Sequence, residues 1–100
     1  MTIAFIGHAA PDRAEAASAY EDDVLPLLAD HGAALLYRGR RTDQEDPALP
    51  LEVHLIRFPS RRAYDAFLAD DRRQALLTRH GEVFTTKIVV ELDTVTGLGG

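Results

Sequence analysis

One hundred residues suit one small domain, and 46% hydrophobic with 27% charged residues is ordinary globular composition. Eleven Lys+Arg against 16 Asp+Glu give a formal charge of −5, which argues against a nucleic-acid binder and against an anionic membrane surface as partner. The lack of cysteine excludes disulfides, a thiolate metal site and a cysteine nucleophile, and a start without a basic region or a ~20-residue apolar run points to the cytoplasm.

Residues 2–8, TIAFIGH, are rich in β-branched and aromatic types and read as a first strand. Pro11 suits the first turn of a helix, where its missing N–H costs nothing, and Asp12 and Glu15 sit near the positive helix end. Ala16, Tyr20, Val24, Leu27, Leu28 and His31 recur at helical spacing. Pro26 should kink that helix or start a new turn, and Gly32 should stop it. Residues 33–41 read as a second strand and 42–50, with Pro47 and Pro50, as a loop expected to be mobile. Leu51 to Phe58 alternate as a third strand. Ser60 is a helix N-cap, Asp70–Asp71 mark a break with re-capping, and the helix resumes over 72–80 until Gly81. Residues 83–92 form a fourth strand, and residues 94–100 read as a flexible tail after one domain spanning 1–93.

The order βαββαβ predicts an α+β, ferredoxin-like sandwich: one antiparallel four-stranded sheet with the helices on one face. The other face needs a cover, so a homodimer or a ligand is expected there.

That chain order carries a resemblance. Tyr20…Val24-Leu25-Pro26-Leu27-Leu28…His31-Gly32, then Leu36-Tyr37-Arg38-Gly39, then Val53-His54-Leu55-Ile56-Arg57-Phe58-Pro59-Ser60 with Ala63 and Phe67, resemble the small uncharacterised families of the dimeric α/β-barrel superfamily. The resemblance covers nearly the whole chain. It implies two sheets facing each other across a dimer axis around a cleft. The superfamily includes cofactor-independent monooxygenases and cyclases of polyketide pathways, isomerases, haem-processing enzymes and plain binding proteins. Those uncharacterised families often carry a tyrosine before the glutamine of the second helix; Arg73 stands there, before Gln74.

Side chains alternate across a strand, so each strand divides into two sets. Ile3, Phe5 and Gly7 oppose Ala4, Ile6 and His8; Ala34, Leu36, Arg38 and Arg40 oppose Leu35 and Tyr37. Glu52, His54, Ile56 and Phe58 oppose Leu51, Val53, Leu55 and Arg57; Lys87, Val89 and Glu91 oppose Thr86, Ile88, Val90 and Leu92. The purely apolar sets are expected under the helices. The mixed sets, with His8, Arg38, His54 and Glu91, are then expected to point into the inter-subunit cleft. On that assignment a His54 under the helices would be out of reach of substrate.

His54 is the first catalytic candidate, because a histidine in an apolar strand needs partners for its nitrogens and its residue type suits general acid–base work. A hydrogen-bonded structural histidine is the competing reading. Arg38 is the second, as the holder of an oxyanion, against a surface ion pair. His8, Leu36 and Ile56 complete the pocket expected around them. The resemblance adds Phe58 and Tyr64: in the polyketide monooxygenases the third strand offers a polar residue, an aromatic four positions later and a tyrosine early in the next helix. His54, Phe58 and Tyr64 hold those places. The four histidines, at 8, 31, 54 and 80, show no metal-ligand spacing, no phosphate loop is present, and no cofactor is expected. Arg72, Arg73, Arg79 and His80 read as partners of the helix end and of Asp70–Asp71.

The resulting expectation is a cofactor-independent cyclase, isomerase or monooxygenase acting on a small apolar oxygenated molecule of polyketide or aromatic type. The alternative is a non-catalytic, dimeric ligand-binding or stress-related protein. Convergence of His54 and Arg38 on one point of a pocket favours the enzyme; pairing of both with protein groups favours the binder.

Overall fold

The computed structural model describes residues 1–43 and 46–95. Four strands form one antiparallel sheet: β1 (Thr2–His8), β2 (Ala34–Arg40), β3 (Glu52–Arg57) and β4 (Thr86–Leu92), in the spatial order β2-β3-β1-β4. The helices are α1 (Ala14–Val24), α2 (Arg61–Leu68) and α3 (Asp71–His80). The fold is ferredoxin-like α+β, as the order of elements predicts. The expected tail lies partly, at 96–100, outside the described residues, as do positions 44–45 of the expected loop.

Local chemistry sets the element ends. Gly32 takes φ 69° after a 3-10 stretch over Leu25–His31, which Pro26 opens. The Ser60 side chain accepts from Ala63 N, and Asp70 accepts from Arg72 N, so the second helical region is cut into α2 and α3 as the re-capping signal predicts. The fourth strand begins at Thr86 rather than 83, while Val83 itself is buried in the core.

Packing corrects the assignment of faces. Phe5 lies opposite His54, and Gly7 opposite Glu52, in the β1–β3 register. Ile3, Glu52, His54 and Ile56 are all buried, and the core that covers them contains Ala17, Tyr20 and Val24 of α1 and Phe67 of α2. On β3 and β4 the mixed sets therefore face the helices, whereas on β1 the apolar set Ile3, Phe5 and Gly7 faces them, as expected, and His8 stays on the open side. The apolar sets of β3 and β4 form the open face, where Ile88, Val90 and Leu92 are exposed together with Tyr37 of β2. Apolarity misplaces these sets because Ser18, Arg38 and His54 all pair with Glu52, so burying that carboxylate leaves no orphaned charge. Strand β2 adds a second departure. Its register shifts between Leu35 and Tyr37, so Ala34 pairs with Arg57 while Arg38 pairs with His54, and simple alternation does not put these two residues on one face.

Candidate active site

Glu52 is the hub of the buried polar cluster and is wholly enclosed, at 0% exposure. Ser18 Oγ donates to its Oε2 at 2.6 Å, and His54 Nε2 donates to its Oε1 at 2.7 Å. Arg38 adds a two-point clamp, Nε to Oε1 at 2.8 Å and Nη2 to Oε2 at 3.0 Å. Burial alone would raise this carboxyl, but the hydrogen bonds from His54, Arg38 and Ser18 outweigh it and bring it from 4.5 down to about 2. Glu52 is thus an anion at any neutral pH, and the nitrogen facing it must carry a proton. In neutral His54 that leaves Nδ1 as the bare, basic nitrogen. Phe5 stacks on the imidazole at 4.9 Å between centroids and 22° between planes, which fixes the ring.

Nδ1 lies on the side of Glu21, and both residues line a cavity of about 200 Å³ between the sheet and the helices. Its apolar wall includes Ile3, Val24, Ile56, Phe58, Phe67 and Val89, and its polar residues include Glu21, His54, Tyr64, Arg73 and Lys87. Glu21, on the buried stripe of α1, approaches His54 Nδ1 to 3.9 Å through Oε2. Burial pushes its carboxyl up from 4.5 to about 7; His54 opposes that rise, Glu52 adds to it, and Arg38 and Arg73 oppose it. The site therefore offers a base locked in one tautomer, a carboxyl that holds its proton near neutrality, and two cations.

Of the residues singled out in the sequence, His54, Ile56, Phe58 and Tyr64 line this cavity. Their cavity lies on the helix side, not in a cleft on the open face, and His54 under the helices is still reached by it. Arg38 meets His54 only through Glu52. Its remaining donors go to Asp22 Oδ1 at 2.6 Å and the Ser18 carbonyl at 3.1 Å, so it is a structural partner of the hub, not a wall of the cavity. Leu36 stands in the β2 irregularity at 48% exposure, away from the cavity lining. His8 lies opposite Thr86 on the open face, and its Nδ1 is buried without a hydrogen-bond partner among the described residues. Glu91 pairs with Arg61 at 2.7 Å on the surface. In the basic patch, Arg72 pairs with Asp70 and Asp30, as expected of a helix-end residue, whereas Arg73 turns to the cavity.

Sequence reasoning misses Glu21, Arg73 and Lys87. A signal for Glu21 exists: Ala14, Ala17, Ser18, Glu21 and Val24 fall on one helical stripe, and an acid on a buried stripe is rare unless used. Among the described residues no grouping of three or more His, Asp or Glu has a metal-holding arrangement, and no helix is long and apolar enough to cross a membrane.

The sequence pattern over residues 4–92 matches the domain of unknown function DUF1330. The chain belongs to the DUF1330 family. Solved structures share its fold. An antibiotic biosynthesis monooxygenase superposes with a TM-score of 0.69 at 18% identity, over 94% of this chain and 97% of its own. The protein Atu4242 from Agrobacterium tumefaciens gives 0.72 at 16% identity, over 97% and 96%. A protein of unknown function from Rhodopseudomonas palustris, RPA0582, gives 0.70 at 18% identity, over 95% and 82%. No curated protein is significantly similar in sequence. At such identities the likeness of this DUF1330 member to the solved structures is one of fold alone.

Proposed function

We propose that this DUF1330 protein is a small-molecule enzyme that works by general acid–base catalysis in the cavity between helices and sheet. The observation that carries this reading is the state of His54: Nε2 is committed to Glu52 at 2.7 Å, and Nδ1 is left for the cavity. A carboxylate that orients a histidine, with the second nitrogen free at an apolar pocket, is an arrangement suited to taking a proton from a bound substrate. The apolar wall with Tyr64, Arg73 and Lys87 fits an oxygenated, mostly apolar molecule of polyketide or aromatic type, and proton transfer, ring closure or isomerisation on it needs no cofactor. The fold shared with an antibiotic biosynthesis monooxygenase is compatible with a small-molecule site, and the substrate class rests on the lining of the cavity.

His54→Asn keeps a polar group at the hub and removes the base. With turnover of such a substrate as the readout, kcat falls by roughly 10²–10⁴-fold while the circular dichroism spectrum is unchanged. Unchanged turnover by a folded His54→Asn variant overturns the reading. Arg38 and His54 do not converge on one point of the cavity, and both pair with Glu52, Arg38 also with Asp22 and Ser18; that pairing favours the second reading, a ligand-binding protein whose polar cluster is structural; on that reading His54→Asn alters affinity and no turnover exists to lose.

A further inference from the structure

Two polar groups at the cavity have hydrogen-bonding capacity that the fold leaves unused. Glu21 is buried, at 5% exposure for the residue, and no hydrogen bond to its carboxyl is found among the described residues. Its nearest basic atom is His54 Nδ1, and 3.9 Å is too long for a hydrogen bond between them. Nδ1, with Nε2 held by Glu52, has no bonded partner among the described residues either. A buried acid and a buried base, side by side within ion-pair range but with no hydrogen bond between them, and both lining one cavity, are completed by a ligand that accepts from one and donates to the other.

We propose that Glu21 and His54 act as a proton donor and a proton acceptor on an enolisable carbonyl compound, a ketone with an aromatic or alkyl body seated against the apolar wall. The proposal rests on the reading of this cavity as an active site. The geometry favours a carbonyl compound over a lone alcohol or phenol. The oxygen and the α-carbon of a ketone lie roughly 2.4 Å apart by ordinary bond lengths. Two groups whose facing atoms are 3.9 Å apart can address both at once, one each, at contact distances of about 3 Å. His54 Nδ1 takes the α-proton, the electron pair of the broken C–H bond becomes the C=C bond, and the carbonyl oxygen takes the Glu21 proton as the C=O π pair moves onto it. The enol is formed with imidazolium and carboxylate left behind. Return of the proton from His54 to Glu21 resets the site, and no oxidant or reductant is consumed. Arg73 and Lys87 are the cations at the cavity that favour charge developing on the oxygen, the part that Arg38 cannot play from its place on Glu52.

The charged groups that face Glu21 are His54 and Glu52 on β3, Arg38 on β2 and Arg73 on α3. Its acid role carries a pH signature: the neutral carboxyl is the active form, so exchange slows as pH rises through about 7.

The test uses acetophenone in deuterated buffer and follows loss of its methyl signal by proton NMR. The intact protein accelerates the exchange, Glu21→Gln slows it by about 10²-fold, and the falling limb of the pH profile disappears in that variant. Glu21→Asp, which keeps an acid at the position, retains a falling limb at a lower rate and serves if the glutamine variant does not fold. A Glu21→Gln rate equal to wild type, or a slowed rate with the limb intact, overturns the role of Glu21 while loss of exchange in His54→Asn leaves the active-site reading standing. No acceleration by the unaltered protein overturns both.

Discussion

His54 and Glu52 are two residues apart on one strand, and alternation alone brings them to one face. Their meeting is legible in the sequence. Which face meets the helices is not, because apolarity argues for the opposite set, and only the mutual pairing of Ser18, Arg38, Glu52 and His54 reverses it. Arg38 shows the same limit: its residue type is right for an oxyanion, but a carboxylate two strand positions from His54 claims it first. Glu21 has a measurable cost of its own. Folding raises its carboxyl from 4.5 to about 7, so the folded state holds this proton more tightly than the unfolded chain. The stability it contributes is full below pH 4.5 and is lost as pH rises through about 7. That loss is on the order of 3 kcal/mol. Urea unfolding near pH 4.5 and about pH 8 should show this fall in the wild type and little of it in Glu21→Gln; equal slopes in the two proteins would show that Glu21 is already ionised in the fold.

Among the elements, the caps and breakers are the most readable part of the chain. Ser60, Asp70 and Gly32 each act through their own short-range geometry, and each does in the structure what its residue type predicts. Features set by pairing between strands are less readable. The irregularity between Leu35 and Tyr37 has no marker in β2 itself and depends on the register that β3 imposes. The late start of β4 follows from Val83 packing into the core before the strand joins β1. The Ser60 cap gives a test at this scale. Ser60→Ala removes the acceptor for Ala63 N and should lower stability by about 1 kcal/mol in urea unfolding, with faster amide exchange at the start of α2. An unchanged midpoint would mean that α2 is held by the packing of Phe67 alone.

Across the whole molecule, the helices protect one face of the sheet and leave Tyr37, Ile88, Val90 and Leu92 exposed on the other. An exposed apolar sheet face of this kind favours a second copy of the chain, sheet to sheet, and we propose a homodimer on that basis. Light scattering at micromolar concentration should give about twice the 11.0 kDa of one chain, and Ile88→Glu should return it to one chain; a monomeric wild type would refute the dimer. The cavity lies on the helix side of each sheet, so acid–base chemistry at His54 does not depend on that outcome. Glu52 holds His54 by Nε2 and leaves Nδ1 without a hydrogen bond beside the cavity, and nitrogen NMR of the labelled imidazole reads that state directly. Neutral His54 is expected to carry its proton on Nε2, and the Nδ1 resonance to shift when acetophenone is added. A proton on Nδ1, or a resonance that ignores the ketone at saturating concentration, would contradict that expectation.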